Sequence, residues 1–352
     1  MIGIVFCNDL NICPYIDKYF QVLKEKNIEY EVIIWNRAGG DKPFQSNFQV
    51  FNEQSDIHIP RWKKIGAFLR FRKFLNDTIK TRRYDKLIML TTIPAIMCYG
   101  LLTRKYEKRY IFDFRDLSYE RFGFYRKKVL RIIKKSAFTC ISSPGFADIL
   151  HMKEYVMAHN FRYSDLGKKV ERPNLNKQVI NLLHIGITRG EEYNRKLVDI
   201  FGNDDRFTVN IVGSGNDTTA FLDYTKGVSN FNVVGTYNNE DKQKYINDAT
   251  MLLYYYPCDF NCNRALANKY YDGLIYKKPL IGNINTYSGK RLADKGLGIS
   301  LDIDDPDFAN KIYEYVQNLD TSCYIDAVND EMDLILSEDR IYLDRISQFL
   351  EE

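Results

Sequence analysis

The stretch "NKYYDGLIYKKPLIGN", residues 268–283, decides the fold. Leu266, Tyr270 and Leu274 recur every four residues, a spacing that predicts one apolar face on a short helix. Lys-Lys-Pro, ending at Pro279, closes this helix, and "PLIGN" then predicts a short buried strand. Because a helix that feeds a buried strand is the repeating unit of a parallel sheet, the stretch indicates an α/β protein.

The same helix carries two charged residues three positions apart, Lys269 and Asp272, on a different face. Polar residues near the start of such a helix lie at the carboxyl edge of the sheet, where open α/β folds bind ligands. This position predicts a ligand-binding role for Asp272. The alternative is a solvated helix residue that pairs with Lys269.

Length and composition bound the class of protein. The chain has 352 residues, of which 45% are hydrophobic and 27% charged, as expected for two ordinary globular domains. It contains no run of eighteen apolar residues, and the opening "MIGIVFCNDL" predicts a strand rather than a signal peptide. Seven scattered cysteines indicate reduced thiols rather than disulfides or zinc. We therefore expect a cytoplasmic protein.

Charge is distributed unequally along the chain. The formal net charge is +4, but residues 1–175 carry 32 Lys and Arg against 18 Asp and Glu. Residues 176–352 carry 18 against 28. Two halves of opposite charge suggest two different roles.

Strand and helix patterns alternate twice along the chain. The first series runs from the strand "IGIVFC" to the strand "AFTCISS" and a helix over "GFADILHM", and the polar segment 161–178 follows as a linker. The second series runs from "VINLLHIGI" to helices at 306–319 and 339–350. These patterns predict two Rossmann-like, doubly wound domains, 1–170 and 171–352, that face a central cleft. The last helix is expected to pack back on the first domain.

The second half resembles the donor-binding domain of retaining family 4 glycosyltransferases, which have the GT-B fold. Those proteins carry a Lys-x-x-Glu-Tyr helix followed by a Gly-Lys-Pro-Val-Ile strand, and "KYYDGLIYKKPLI" matches that spacing without a gap. The order of "HIGITRG", "VNIVGSGN", "VVGTY" and "ATMLLYYYP" before it is also similar to the family order. In the first half, "IFDFRDLSYE" and "FTCISSPGFADIL" resemble the family's acidic strand end and strand-Ser-helix unit.

The resemblance implies transfer of a sugar from a nucleotide-sugar, a UDP- or GDP-sugar, without a permanently bound cofactor or metal. The departing nucleotide develops negative charge, which fixed cations and amides stabilise in a water-poor site. The candidate cations are Arg189 and either Arg195 or Lys196. The donor-binding candidates are Gly186, Gly213, Ser214, Gly215, Lys269 and Asp272, and Asp272 would accept hydrogen bonds from the ribose hydroxyls. The glycines allow close passage of the chain to the donor, or alternatively form a tight turn.

One position departs from the family pattern. Many members have two glutamates eight residues apart in this unit, whereas the position eight before Asp272 is Arg264. That glutamate usually helps to hold the sugar. The loop Cys258–Arg264, with Asn261 or Asn263, is expected to supply other contacts.

In the first half, Asp113, Arg115 and Asp116 lie at the carboxyl end of a strand. Alternation places Asp113 and Arg115 on one face and Asp116 beyond the strand. In a functional interpretation, these residues would position the acceptor or the sugar. In a structural interpretation, Arg115 would only neutralise the two carboxylates. If the reaction inverts the sugar, Asp116 or Asp9 is the base to test.

Other motifs are rejected or missing. Asp302-x-Asp304 has the spacing of a metal site, but Asp304 or Asp305 before Pro306 predicts a helix N-cap instead. The four histidines, at 58, 151, 159 and 184, show no metal-ligand spacing. The first strand-turn lacks G-x-G-x-x-G, and the chain has no Walker motif, which argues against a nicotinamide dehydrogenase and a P-loop enzyme.

Two basic helices are predicted at 61–83 and 126–135. The first carries nine Lys and Arg against Asp77 alone, with aromatic residues interleaved. Such helices suit an anionic membrane surface. Nucleic acid is the competing partner, and a solvated exterior is the third interpretation.

These observations together predict a GT-B glycosyltransferase that lies peripherally on the inner face of the plasma membrane. It would move a sugar to a lipid-linked or oligosaccharide acceptor in bacterial capsule, exopolysaccharide or O-antigen assembly, with retention, and no nucleic acid is expected as a partner. The alternatives are a nucleotide-sugar hydrolase or epimerase of GT-B fold, and a non-catalytic nucleotide- or nucleic-acid-binding protein.

Overall fold

The computed structural model describes residues 1–8, 10, 13, 15–37, 39, 44–55, 61–167, 177–188, 190–215, 218–238 and 240–352, without the side chains of 61–63 and 218–219. The chain divides into two compact units. The first comprises Met1–Asn160 together with Ser337–Glu352, and the second comprises Phe161–Leu336. The predicted boundary followed residue 170. In the structure the second unit begins earlier, at Phe161, whose side chain is buried in the core of that unit.

The first unit is built on a parallel sheet, with seven strands in the described residues and the order β3-β2-β1-β4-β5-β6-β7. Its strands are β1 (Ile2–Val5), β2 (Tyr30–Asn36), β3 (Phe48–Asn52), β4 (Lys86–Leu90), β5 (Tyr110–Phe114), β6 (Phe138–Ile141) and β7 (Val156–Met157). The central strands β1, β4 and β5 are almost completely buried, as expected for a sheet covered on both faces.

The helices of the first unit are α1 (Ile16–Glu25), α2 (Arg61–Arg82), α3 (Thr92–Met97), α4 (Tyr99–Leu102) and α5 (Gly123–Lys135). In this sheet, β2 and β3 lie on one side of β1, and β4 to β7 lie on the other side. The chain therefore crosses the sheet in one direction from β1 to β3 and in the opposite direction from β3 to β7. Right-handed crossovers therefore place α1 on one face of the sheet and α2 to α5 on the other. Contacts of α3 with α2 and of α3 and α4 with α5 join the latter helices into one layer.

The second unit contains a parallel sheet of six strands, counted over the described residues, in the order β10-β9-β8-β11-β12-β13. The strands are β8 (Ile180–Ile185), β9 (Phe207–Val212), β10 (Phe231–Gly235), β11 (Met251–Tyr254), β12 (Leu280–Asn283) and β13 (Gly298–Leu301). The helices are α6 (Tyr163–Leu166), α7 (Glu191–Phe201), α8 (Thr218–Tyr224), α9 (Lys242–Asp248), α10 (Asn268–Ile275), α11 (Tyr287–Asp294) and α12 (Phe308–Asn318). A final helix, α13 (Thr321–Glu351), contributes residues to both units.

The stretch 268–283 forms the predicted helix and strand, α10 and β12. Leu266, Tyr270 and Leu274 are buried, so the predicted apolar face exists. Lys278 is also buried, and its ammonium donates to Asn247 O at 2.9 Å and Ala249 O at 2.6 Å. Because these carbonyls end α9, the lysine satisfies groups that a helix terminus leaves open. The predicted α/β class with two doubly wound parallel sheets is confirmed.

Three predicted helices differ in the structure. Residues 145–152 form no α-helix: Pro144–Phe146 is a short 3₁₀ turn, in which Ser143 Oγ accepts from Gly145 N at 3.3 Å, and further turns follow. The helix predicted at 306–319 begins at Phe308 with Asp307 as its N-cap, so the N-cap at Asp304 or Asp305 was wrong. Asp305 instead accepts from Asp307 N at 2.9 Å in the preceding turn.

The third difference concerns the predicted helix 339–350, which is the end of the much longer α13. Tyr342, Ile346 and Phe349 of this helix belong to the core cluster of the first unit, with residues of β1 and α1. Within the described residues, no helix combines the length and mean hydropathy that crossing a membrane requires.

Candidate functional site

The strand order of the second unit creates a switch point between β8 and β11. From β8 the chain proceeds outward to β9 and β10, then returns to the other side of β8 as β11. The helices before and after such a point leave on opposite faces of the sheet, and ligands of open α/β sheets bind outside the carboxyl ends of the strands there. Gly186 follows β8 at this edge, and Tyr256 follows β11.

Lys269, in the first turn of α10, reaches this switch point. Its Nζ lies 3.1 Å from Nδ1 of His184, the next-to-last residue of β8, and 4.9 Å from the centre of the Tyr256 ring. Lys269 and His184 are both buried. The sequence placed Lys269 among the donor-binding candidates, and the structure locates its charge at the carboxyl edge of the sheet.

His184 supports this lysine as a neutral imidazole. Burial and the neighbouring Lys269 charge hold the pKa of His184 well below its usual value. Its Nε2 lies 3.3 Å from Ile187 O, and Lys269 Nζ lies 3.1 Å from Nδ1 and 3.3 Å from Nε2. The tautomer with the proton on Nε2 satisfies these contacts best, because Nε2 then donates to Ile187 O and Nδ1 accepts from Lys269. The lysine is thus held by an uncharged partner at the edge of the sheet.

The predicted glycines bring the loops after β8 and β9 together. Gly213 has φ +137°, and a Cβ built there would lie 1.9 Å from Gly186 O. A Cβ on Gly215 would lie 2.1 Å from Thr188 O. Glycine is therefore required at 213 and 215 because the backbone of the loop after β8 passes too close for a side chain. Ser214, between them, is exposed at the same edge. Contact of these residues with a donor stays a prediction.

Asp272 lies one turn beyond Lys269 on α10 and is buried. Its Oδ1 accepts from Lys242 Nζ at 2.6 Å, so the interpretation of Asp272 as a solvated residue paired with Lys269 was wrong. Burial raises the pKa of Asp272, and the Lys242 charge opposes that rise. Lys242, the first residue of α9, was missed by sequence reasoning because its partner is 30 positions away and no spacing pattern links them.

The candidate catalytic cations on α7 are engaged at the surface. Arg195 is exposed, lies 4.5 Å above the Tyr224 ring and pairs with Glu191 at 3.7 Å. Lys196 pairs with Asp304 at 2.5 Å and Glu192 at 3.5 Å. The catalytic role of either residue stays a prediction. Arg189 lies outside the described residues, as do Asp9 and His58.

The loop after β11 is organised by its own side chains. Asp259 Oδ1 accepts from Asn261 N at 2.8 Å and from Cys262 N at 2.6 Å. Arg264 Nη1 donates to Phe260 O at 2.9 Å, with the guanidinium 5.1 Å from the centre of that ring. Asn263 Oδ1 is buried without a hydrogen-bond partner among the described residues. Sugar contacts from Asn261 or Asn263 stay predictions.

In the first unit, Asp113 and Arg115 form a buried ion pair at the end of β5. Arg115 also donates to Ala158 O at 2.6 Å and Asn160 Oδ1 at 2.9 Å, and its guanidinium lies 3.8 Å from the centre of the Tyr15 ring. These contacts match the structural interpretation of the pair. Asp116, one residue further, is exposed, and its role as an acceptor-positioning residue or base stays a prediction.

In the described part of the chain, no group of three or more His, Cys, Asp or Glu side chains is placed to hold an ion. The chemistry that the second sheet offers is instead a buried ammonium at the switch point and, one helical turn away, a carboxylate with its own lysine. Such a site matches an anionic ligand that also carries hydroxyl groups.

Comparison with known proteins gives a fold-level match. The sequence matches no protein-family model and no curated protein sequence. The structure is similar to sucrose-phosphate synthase from Thermosynechococcus elongatus, with a TM-score of 0.70 at 12% identity, covering 99% of this chain and 97% of that one.

Two further solved structures are similar over nearly their whole length. The Anabaena protein HepE in complex with UDP and glucose matches with a TM-score of 0.62 at 12% identity, covering 96% of this chain and 99% of that one. The lipopolysaccharide outer core galactosyltransferase WaaB, in its apo form, matches with a TM-score of 0.60 at 14% identity, covering 93% and 94%. These are GT-B proteins, and the chain described here has the GT-B fold.

Proposed function

We propose that this protein is a glycosyltransferase that transfers a sugar from a UDP- or GDP-sugar to an acceptor. The observation that carries the proposal is the Lys269 ammonium at the switch point of the second sheet, supported by neutral His184. The similar solved structures of the same fold include one in complex with UDP and glucose, which supports a nucleotide-sugar donor.

In this proposal, Lys269 stabilises the diphosphate of the donor. As the bond between the sugar and the nucleotide breaks, negative charge grows on the phosphate oxygens. A cation that is already fixed and partly removed from water stabilises that charge without further reorganisation. Backbone amides of the loop that follows Gly186 would add to this stabilisation, and Arg189 is the second candidate cation.

Asp272 would accept from the ribose. Its Oδ1 is held by Lys242, and its Oδ2 has no hydrogen bond to the described residues. A buried carboxylate with one open oxygen is well suited to a neutral hydroxyl donor. The match of "KYYDGLIYKKPLI" to family 4 glycosyltransferases supports the same assignment and extends it to a retaining reaction.

The acceptor is proposed to be membrane-linked. The layer formed by α2 to α5 carries the basic segments 61–83 and 126–135 on one face of the first unit. Phe124 is 71% exposed, with its ring centre 6.2 Å from that of Phe122, and Leu69 of α2 is 57% exposed. Exposed apolar side chains among many cations fit an anionic bilayer, where each basic residue contributes about 1 kcal/mol. The resemblance to family 4 glycosyltransferases supports extending this proposal to assembly of a bacterial surface polysaccharide at the inner leaflet.

The donor site is tested by thermal unfolding with a panel of nucleoside diphosphates and nucleotide-sugars, because ligands that bind the native state raise its melting temperature. We expect a shift with UDP or GDP that is lost in Lys269→Met and kept in Lys290→Met, which removes an exposed lysine of α11. Turnover that releases the nucleotide without acceptor would identify a hydrolase or epimerase instead. No shift with any nucleotide would overturn the proposal.

The membrane surface is tested by sedimentation with vesicles of phosphatidylcholine containing phosphatidylglycerol. The double variant Phe122→Ser/Phe124→Ser should bind less, whereas Ile341→Ser, which removes an exposed apolar side chain from α13, should bind like the wild type. Binding should also weaken with added salt. Equal binding by all three proteins would exclude this surface.

A further inference from the structure

We propose that Lys242 is a second ribose-binding residue, and that Lys242 and Asp272 together recognise the vicinal hydroxyls of a ribonucleotide. The inference rests on the proposed function, because it assigns a role to Lys242 within the same donor site. Its basis is the geometry of one ion pair.

The two residues come from different helices. Lys242 is the first residue of α9, and Asp272 is the fifth residue of α10. Nζ and Oδ1 are 2.6 Å apart, and the side chains are 17% and 8% exposed. The pair is therefore mostly removed from water but open enough on one side for a small polar group to reach it.

Both members have hydrogen-bonding capacity left. An ammonium has three N–H donors, and the hydrogen bond to Asp272 Oδ1 uses one of them. Among the described residues, neither the remaining donors of Lys242 nor Oδ2 of Asp272 has a hydrogen-bond partner. The pair thus presents a donor and an acceptor side by side.

This arrangement matches a hydroxyl group, which donates one hydrogen bond and accepts others. One ribose hydroxyl can donate to Asp272 Oδ2 while a neighbouring hydroxyl accepts from Lys242 Nζ. A carboxylate alone would offer acceptors only. Lys242 is therefore predicted to contact the ribose directly and to aim the carboxylate at it.

The charges around the pair favour the ammonium form of Lys242. The pKa of Lys242 is raised, because attraction to Asp272 and Asp165 outweighs the effect of its burial. Tyr237 lies in the loop after β10. Burial raises its pKa, which the Lys242 charge lowers and the Asp272 charge raises further. Lys242 starts the helix that follows β10, and Asp272 shares α10 with Lys269, so the pair lies towards the same carboxyl edge as Lys269.

The test is the affinity of the full-length protein for UDP or GDP, whichever shifts its melting temperature more, and for the 2′-deoxy and 3′-deoxy forms, measured by calorimetry. In the wild type, removal of at least one hydroxyl should weaken binding about tenfold, since charge-assisted hydrogen bonds are the stronger kind. In Lys242→Met, the affinity for the ribonucleotide should fall about tenfold and the preference over that deoxy form should largely disappear.

Control variants separate this role from a structural one. Lys244→Met removes an exposed lysine from the same helix and should keep the wild-type preference. If Lys242→Met fails to fold, Lys242→Arg and Lys242→Gln provide the comparison, with Arg retaining the preference and Gln losing most of it. A wild type that does not distinguish the ribonucleotide from either deoxy form overturns the inference, as does a Lys242 variant with unchanged preference. A wild type that binds no nucleotide overturns the proposed function itself.

Discussion

Arg115 donates two hydrogen bonds to Asp113 in the core of the first unit, from Nε to Oδ1 at 2.5 Å and from Nη2 to Oδ2 at 2.8 Å. Tyr19 also donates to Oδ2, at 2.8 Å. This planar, two-point contact is the geometry in which arginine holds a carboxylate most firmly. The pair fixes the end of β5 rather than leaving two groups for a ligand.

We expect Arg115→Met to lower the free energy of unfolding by about 3–5 kcal/mol, because it leaves the buried Asp113 carboxylate without its counter-charge. Urea denaturation measures this loss. Arg104→Met, at an exposed position, should change the free energy by less than about 0.5 kcal/mol. Losses of similar size in both variants would contradict the structural role of the pair.

A second buried pair joins α1 to α13. Lys18 Nζ lies 2.5 Å from Asp339 Oδ1, and both side chains are buried. Lys18→Met should cost about 3–5 kcal/mol, since it leaves Asp339 without its cation. The double variant Lys18→Met/Asp339→Leu should recover most of this loss, because an apolar pair of similar volume removes both charges. Additive losses in the double-mutant cycle would contradict a coupling between the two residues.

Lys278 predicts a pH dependence of stability. Burial lowers the pKa of Lys278 from 10.5 to about 8. Between these values the unfolded chain holds a proton that the folded protein releases, so this lysine makes the folded state more stable as the pH rises from about 8 towards 10.5. The free energy of unfolding, measured by urea denaturation at a series of pH values, should therefore rise less between about pH 8 and 10.5 for Lys278→Met than for the wild type. An identical pH dependence in both proteins would show that Lys278 is not perturbed.

Gly213 and Gly235 form a matched comparison. Both have positive φ, but a Cβ on Gly213 would meet Gly186 O at 1.9 Å, whereas a Cβ on Gly235 meets nothing within 4 Å. Gly235→Ala should cost about 1–2 kcal/mol through backbone strain alone. Gly213→Ala should cost more and also weaken nucleotide binding, because the loop after β8 must move. Equal costs, with unchanged binding, would show that the two loops adjust freely.

The sequence was sufficient for the regular α/β alternation because buried strands and amphipathic helices have distinct periods. It was insufficient where strands are short or half-exposed. β3 lies at the sheet edge with only partial burial, and β13 has four residues of intermediate exposure, so neither shows a clear apolar run. The predicted helix at 145–152 failed because Pro144 and Gly145 favour a turn that local apolar residues conceal.

The length of α13 was underestimated for an electrostatic reason. Its buried face includes Glu331 and Asp339 at positions where an apolar residue is expected. Glu331 accepts from Tyr270 OH at 2.7 Å and pairs with Arg291, while Asp339 pairs with Lys18. Since these partners are distant in sequence, the two acids interrupt the apolar period and hide the first half of the helix. Lys242 was not predicted as a site residue because its partner, Asp272, is likewise distant in sequence, 30 positions away.

The residues that complete the core of the first unit lie at 337–352, whereas the second unit is one continuous stretch, 161–336. During synthesis, β1 and α1 therefore leave the ribosome long before Tyr342, Ile346 and Phe349, which cover them. The Lys18–Asp339 contact alone spans 321 positions. We expect the second unit to fold first, although it is translated later, and the core of the first unit to stay incomplete until the carboxyl-terminal helix arrives.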